Sequence, residues 1–134
     1  MKLALLLWGA LWVYVAIPWR SFRPSPSLQR VEWVPFAVGS PRTQILNFLV
    51  FVPLGLIGTR LGWSPRTVAL VGAGTSALTE LLQLFSTRRY PSVTDLILNI
   101  AGTLTGIAVA ISSQSAVTVN AQRRASMPVP EHDP

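Results

Sequence analysis

Four long apolar runs dominate this chain of 134 residues. They cover about residues 3–19, 43–59, 67–86 and 93–112, so each is 17–20 residues long. A helix of about 20 apolar residues crosses the hydrocarbon core of a bilayer. Helices of a soluble bundle would carry a charged face at helical spacing, and these runs carry almost no charge. The sequence therefore predicts an all-α fold, a bundle of four transmembrane helices.

The first apolar run has two interpretations. Its length after Lys2 resembles that of a secretory signal peptide. However, residues 15–18 contain no small-residue cleavage site, and Trp8, Trp12 and Tyr14 fill the run with bulky aromatic side chains. These features favour an uncleaved transmembrane span over a signal peptide.

Charge and composition exclude several functional classes. Eleven Lys and Arg residues against five Asp and Glu residues give a net charge of +6, but the arginines lie between the apolar runs, where residues flanking membrane spans are expected. No motif that reads nucleic-acid bases accompanies this charge, so we expect no nucleic-acid partner. There is no Cys, and the single His132 lies in the terminal tail. We therefore expect no disulfide, no metal site, no cofactor and no Ser-His-Asp triad.

The segments outside the apolar runs differ in length and in composition. Residues 20–42 form a long loop, whereas residues 60–66 and 87–92 are short basic turns. From about residue 113 the chain becomes polar and then Pro-rich, which predicts a disordered tail. The expected organisation is one transmembrane domain over residues 1–112, followed by a disordered polar tail over residues 113–134.

Polar residues inside the spans indicate which helix faces point inward, because a charged side chain at the centre of a span costs about 2.5–3.5 kcal/mol. In the third run, Glu80 and Gln83 share one face at a spacing of three residues. In the fourth run, one narrow stripe carries four residues: Asp95, Asn99, Gly102 and Gly106. Two glycines four residues apart allow a neighbouring helix to approach closely. This stripe is therefore expected to face the bundle interior.

The topology brings the polar residues of different spans to one end of the bundle. Asn47 lies near the start of the second run and Phe51 follows four residues later, while Pro53 predicts a kink near Leu49. Since successive spans alternate in direction, the start of the second span, the end of the third and the start of the fourth lie on one side. The predicted polar cluster consists of Asn47, Glu80, Gln83, Arg88, Arg89, Asp95 and Asn99.

Two blocks of this sequence resemble the VanZ-like family. Residues 47–55 match its N-x-x-x-F-x-P-x-G signature through Asn47, Phe51, Pro53 and Gly55. The second signature, E-x-x-Q…R…D-x-x-x-N-x-x-G-x-x-x-G, is matched by Glu80, Gln83, Arg89, Asp95, Asn99, Gly102 and Gly106. The resemblance implies a small bacterial membrane protein with several spans. The founding member of the family is associated with low-level resistance to the glycopeptide teicoplanin.

The polar cluster admits three functional hypotheses beside a purely structural role, in which its residues pair and lock the helices together. The favoured hypothesis is a non-catalytic protein that binds an anionic lipid, such as a phosphorylated lipid, or a cell-envelope component through its Arg, carboxylate and amide groups. The alternative is a membrane-embedded enzyme acting on a lipid headgroup, with Glu80 and Asp95 as acid and base. A small transporter is the third hypothesis, since carboxylates lie at partial depth.

The positive-inside rule gives an expected orientation. Five basic residues lie on the side of the chain termini, and six lie on the side of the polar cluster. If Arg42, Arg88 and Arg89 belong to a site, three remain on that side. The count then places both termini in the cytoplasm and the cluster on the outer face of the cell membrane. The sequence does not predict an oligomeric state.

Overall fold

The protein is described by a computed structural model, which covers residues 1–17, 21–37 and 39–126. These residues form four α-helices: α1 (Lys2–Ala16), α2 (Pro41–Arg60), α3 (Pro65–Gln83) and α4 (Val93–Ala125). A short 3-10 helix at Leu28–Arg30 interrupts the α1–α2 connection. No strand occurs within the described ranges, so the prediction of an all-α fold is confirmed.

The starts of α2 and α3 use the same local signal. Ser40 precedes α2 and accepts a hydrogen bond on its hydroxyl from the backbone N–H of Thr43 at 3.3 Å. Ser64 precedes α3 and accepts one from the N–H of Thr67 at 3.1 Å. In both helices a proline follows the serine, where its fixed φ suits the first turn and its missing N–H removes no helical bond. Both helices therefore begin two residues earlier than the apolar runs predict.

Glycines bring the backbones of α2 and α4 into direct contact, and these two helices form the most extensive pair in the bundle. A Cβ atom added at Gly55 would collide with the carbonyl oxygen of Thr103 and would lie 3.0 Å from the Cα of Gly106. A Cβ at Gly102 would collide with the carbonyl oxygen of Phe48. Only glycine permits this approach, so the stripe of α4 that carries Gly102 and Gly106 packs against α2.

Tryptophans attach α1 to the rest of the bundle. The indole N–H of Trp8 donates to the carbonyl oxygen of Val50 at 2.6 Å, and that of Trp12 donates to the hydroxyl of Thr79 at 3.0 Å. Trp8 also packs edge-on against Phe51, with ring centroids 6.1 Å apart. Since Trp8 and Trp12 are one helical turn apart, they lie on the same face of α1, and this face contacts α2 and α3.

The bundle buries polar side chains and exposes apolar ones. On α3 the buried face carries Ser76, Thr79 and Gln83, whereas Leu70 is 74% exposed and Leu81 is 56% exposed. A soluble helix shows the opposite arrangement, because burial of apolar surface drives its folding. This distribution suits a surface that meets lipid rather than water.

Two helices are long and apolar enough to cross a membrane, namely α2 and α4. α1 is apolar but has only 15 residues, and α3 carries the polar face described above. Length and composition therefore support two membrane spans among the described helices. The four-span arrangement predicted from the sequence would also require α1 and α3 to cross the membrane, and neither helix meets both criteria.

The prediction that the chain is disordered from residue 113 is wrong for residues 113–125. These residues continue α4, which has 33 residues and is roughly 50 Å long at the α-helical rise. A change to polar side chains does not end a helix, and no Gly or Pro occurs between Gly106 and Pro128. Residues 127–134 of the predicted tail, and residues 18–20 at the end of the first apolar run, lie outside the described residues.

The α1–α2 connection crosses the end of α3 and the α3–α4 turn. The N–H of Arg23 donates to the carbonyl of Phe85 at 2.8 Å, and the N–H of Glu32 donates to that of Pro91 at 2.8 Å. The N–H of Val93 returns a bond to the carbonyl of Glu32 at 3.1 Å. These backbone bonds fix the connection over the bundle end where the sequence predicts the polar cluster.

Candidate ligand-binding site

A cavity of about 300 Å³, here called the outer cavity, opens at the end of the bundle where α2 and α4 begin and α3 ends. Its polar lining comes from three helices and two connections. The lining residues are Glu32, Gly39, Thr43, Gln44, Asn47, Gln83, Arg88, Arg89, Tyr90, Ser92 and Asp95.

A second, much smaller space of about 20 Å³, here called the inner pocket, is lined by residues deeper in the bundle. Trp12, Val15, Ala16, Val50 and Phe51 give it an apolar side. Its polar side is formed by Asn47, Thr79, Glu80, Gln83, Arg89 and Asn99. Because Asn47, Gln83 and Arg89 line both spaces, the two adjoin. The seven residues of the predicted polar cluster thus all line the outer cavity, the inner pocket or both.

Glu80 connects α3 to the start of α4. Its Oε2 accepts a hydrogen bond from the backbone N–H of Ser92 at 2.7 Å, and Ser92 is the residue that precedes α4. Its Oε1 is buried and has no hydrogen-bond partner among the described residues. One carboxylate oxygen of Glu80 therefore holds the helix start, and the other is left as an unpaired acceptor beside the inner pocket.

Asn99, like Glu80, uses one polar atom in a structural hydrogen bond and leaves the other without a partner. Its amide nitrogen donates to the hydroxyl of Ser76 at 3.0 Å, which fixes the side chain between α4 and α3. Its Oδ1 is buried without a partner in the part of the chain that the structure describes, and the residue is only 3% exposed. A buried acceptor without a donor costs about 1–3 kcal/mol. Glu80 and Asn99, the two residues that carry such acceptors, both line the inner pocket.

The two adjacent arginines of the α3–α4 turn lie at the rim of the outer cavity. The hydroxyl of Ser86 accepts hydrogen bonds from the backbone N–H groups of Arg88 and Arg89, at 3.2 and 3.0 Å, and so fixes the turn. Both arginines are exposed. The guanidinium of Arg89 also donates to the carbonyl oxygen of Val15 at 3.3 Å, in the last turn of α1.

Asp95 lies in the first turn of α4, where the partial positive charge of the helix N-terminus favours a carboxylate. Its side chain lies beside the amide of Asn47 on α2. Asp95 and a second acidic residue, Glu32, line the outer cavity together with the two arginines. The cavity can offer guanidinium groups to an anion and carboxylates to a cation.

Several residues around the site were not identified from the sequence. Ser92 could have been recognised as a residue that commonly precedes a helix, because a serine stands before the apolar run of α4. Glu32 and Tyr90 reach the cavity through the backbone bonds between two connections, and no local pattern predicts such contacts. Within the described ranges, no group of three or more His, Cys, Asp or Glu side chains is placed to hold a metal ion.

Comparison with known proteins identifies the family. The chain matches the family model described as VanZ/LLP1 over residues 3–115, which includes all four helices up to the polar end of α4. No curated protein and no solved structure matches the chain. The family match and the two helices able to cross a bilayer together indicate a membrane protein. The resemblance first seen in two short motifs therefore extends over most of the sequence, and the chain belongs to the VanZ/LLP1 family.

Proposed function

We propose that this protein crosses the cell membrane four times and binds the phosphate of an anionic lipid or cell-envelope component in the outer cavity, without catalysing a reaction. The observation that carries this proposal is the position of Arg88 and Arg89 at the rim of a polar cavity at one end of an otherwise lipid-compatible bundle. Arginine presents several N–H donors in a planar fork that matches phosphate oxygens.

The exposed surfaces of α1 and α3 support four spans. α1 exposes large apolar side chains on the face away from its tryptophans, including Leu3, Leu7 and Leu11. Its tryptophans attach it to α2 and α3. α3 exposes leucines and buries its polar face. Water would solvate such surfaces poorly, whereas the hydrocarbon core of a bilayer solvates them well. A helix as short as α1 is accommodated by local thinning of the bilayer.

The charges near the helix ends support an outward-facing cavity. Arg60 and Arg66 flank the α2–α3 turn, and Arg123 and Arg124 end α4, on the same side of the bundle as Lys2. At the opposite end, this proposal assigns two arginines, Arg88 and Arg89, to the cavity. Because Arg42 does not line the cavity, four basic residues outside the site remain at that end, against five on the side of the N-terminus. This small excess supports a cytoplasmic location for the side of the N-terminus.

The geometry around Glu80 favours binding over catalysis. A headgroup-cleaving enzyme would use Glu80 and Asp95 as acid and base, and both side chains must then reach the scissile bond. One oxygen of Glu80 holds the start of α4, and its free oxygen lies beside a pocket of about 20 Å³. This pocket has room for about one water-sized group and not for a phosphodiester. The enzyme hypothesis remains the alternative.

The proposal is tested by lipid-dependent thermal stability of the full-length protein in mild detergent. Phosphatidylglycerol is added to wild type, Arg88→Gln and Arg42→Gln, and diacylglycerol of the same acyl chains serves as the lipid without phosphate. Arg42 is the matched control, because it is exposed on the same side but does not line the cavity. We expect phosphatidylglycerol to raise the Tm of wild type and of Arg42→Gln, and to raise it much less in Arg88→Gln. Equal effects of the two lipids would contradict the proposal.

The link to teicoplanin is a separate proposal that rests on the family resemblance alone. If this chain shares that role, its expression in a susceptible host should raise the minimal inhibitory concentration of teicoplanin, and Arg88→Gln should abolish the rise. Unchanged susceptibility on expression of a folded, membrane-inserted protein would exclude the role.

A further inference from the structure

The charges around the two adjoining spaces do not suit a ligand that carries only a phosphate. Arg88 and Arg89 contribute two positive charges. Glu32 and Asp95 line the outer cavity, and Glu80 lines the inner pocket, which gives three carboxylates. When an anion occupies Arg88 and Arg89, no other basic side chain among the lining residues of the two spaces remains to pair with the three acidic groups. A ligand that fits all of these groups carries a positive charge next to its negative one.

Two unpaired acceptors indicate where a donor group of the ligand can bind. Oε1 of Glu80 and Oδ1 of Asn99 are both buried, and neither has a donor among the described residues. Both residues line the inner pocket, whose volume of about 20 Å³ holds one water-sized group. A primary ammonium is of that size and carries three N–H donors, which is enough for two acceptor oxygens.

Arg89 lies between the proposed positions of the phosphate and of the amine of such a ligand. It lines the outer cavity and the inner pocket, so a phosphate that contacts Arg89 lies beside the entrance to the pocket. A short linker from this phosphate then suffices to bring an amine towards Glu80. A long linker would carry the amine past it.

From these observations we infer that the ligand is a phosphoethanolamine group, with its phosphate on Arg88 and Arg89 and its primary ammonium at Glu80 and Asn99. The inference rests on the proposed phosphate binding, and the added amine makes the ligand zwitterionic rather than anionic. The group is carried by aminophospholipids and also exists as the free phosphate ester. A quaternary ammonium such as choline does not fit, because it has no N–H to donate and is larger than the pocket.

The test is native mass spectrometry of the full-length protein in mild detergent. The protein is titrated with phosphatidylethanolamine, phosphatidylglycerol and phosphatidylcholine of identical acyl chains. We expect phosphatidylethanolamine to bind roughly tenfold tighter than the other two lipids, as hydrogen bonds between charged groups would give. Free phosphoethanolamine is added as a competitor. If it displaces the lipid, the headgroup alone is recognised, and if it does not, the lipid form is the ligand.

Two conservative variants locate the amine. Glu80→Gln keeps an oxygen that can accept from Ser92 but removes the negative charge, and Asp95→Asn removes a charge from the outer cavity only. We expect Glu80→Gln to abolish the preference for phosphatidylethanolamine while binding of phosphatidylglycerol is retained. Asp95→Asn should weaken the preference less. Thermal unfolding of each variant verifies its fold. If Glu80→Gln is unstable, Asp95→Asn still tests whether removing a negative charge lowers the preference for phosphatidylethanolamine.

The possible failures are distinguishable. If all three lipids bind equally and all are lost in Arg88→Gln, phosphate binding holds and the amine inference is wrong. If phosphatidylethanolamine is preferred equally by wild type, Glu80→Gln and Asp95→Asn, the amine is recognised elsewhere and the inference is again wrong. If none of the lipids binds, the proposed function fails together with the inference.

Discussion

The Oε2 of Glu80 accepts a hydrogen bond at 2.7 Å from the backbone N–H of Ser92, twelve residues later in the chain. Glu80 belongs to the last turn of α3, and Ser92 immediately precedes α4. In a typical capping box, a glutamate within the helix reaches back to this N–H. Here the carboxylate of a neighbouring helix has that role, so Glu80 fixes the position of the next helix as well as lining the inner pocket.

This contact predicts different effects for two substitutions of the same residue. Glu80→Ala leaves the buried N–H of Ser92 without an acceptor and should lower the free energy of unfolding by about 1–3 kcal/mol. Glu80→Gln retains an acceptor oxygen and should lower it much less. Thermal unfolding in detergent compares the two variants. Equal losses would indicate that the charge, and not the hydrogen bond to Ser92, stabilises this helix junction.

The glycine contact between α2 and α4 predicts a steep dependence on side-chain size. Gly55→Ala places a Cβ against the carbonyl oxygen of Thr103 and should cost about 1–3 kcal/mol or more, because two backbones must separate. Gly74→Ala in α3 is the matched control, since a Cβ there meets nothing within 4 Å. The control should be neutral or slightly stabilising, since alanine favours a helix more than glycine does.

Unfolding measured side by side on the two glycine variants checks this prediction. If Gly55→Ala unfolds like Gly74→Ala, the helices are not in backbone contact at Gly55. If both variants are strongly destabilised, α3 packs against a further surface at Gly74 that the monomer does not contain.

The hydrogen bond from Trp12 to Thr79 predicts a measurable coupling between α1 and α3. Trp12→Phe keeps an aromatic ring but loses the N–H, and Thr79→Val loses the hydroxyl that accepts it. Hydrogen bonds between membrane helices contribute about 0.6 kcal/mol on average in double-mutant cycles. We therefore expect the double variant to be more stable than the sum of the two single losses predicts. Strict additivity would mean that α1 does not dock through this bond.

Much of the fold follows from residue patterns, and the site does so in part. Asp95, Asn99, Gly102 and Gly106 share one helix face at fixed angular spacing, so their common contact with the bundle could be predicted. The position of Glu32 could not, because it depends on backbone bonds between two connections far apart in the sequence. Hydrogen bonds of this kind leave no periodic signal.

The end of α4 shows why a change in composition is a poor guide to a helix boundary. Residues 113–125 are polar, which predicts that they leave the membrane, but polar side chains do not prevent a helix. Helices end where the backbone is interrupted by Gly, Pro or an alternative hydrogen bond. The sequence therefore indicates where the apolar part of α4 ends better than where the helix ends.

The proposed orientation predicts opposite accessibility for two engineered cysteines. The chain has no Cys, so each variant carries a single thiol. Thr87→Cys lies exposed in the α3–α4 turn, and Gln122→Cys lies exposed near the end of α4. In intact cells a membrane-impermeant maleimide should label the first and not the second. Labelling of Gln122→Cys alone would reverse the orientation and place the outer cavity in the cytoplasm.

The central claim is that the outer cavity binds a phosphorylated lipid through Arg88 and Arg89. It is tested most directly by identifying the lipids that co-purify with the full-length protein from cell membranes, in wild type and in the double variant Arg88→Gln/Arg89→Gln. We predict that wild type retains one phosphorylated lipid class in near-stoichiometric amount, and that the folded double variant loses it. Retention of the same lipids by both proteins, or of none by wild type, would contradict the claim and would leave the polar cluster with a structural role in holding the helices together.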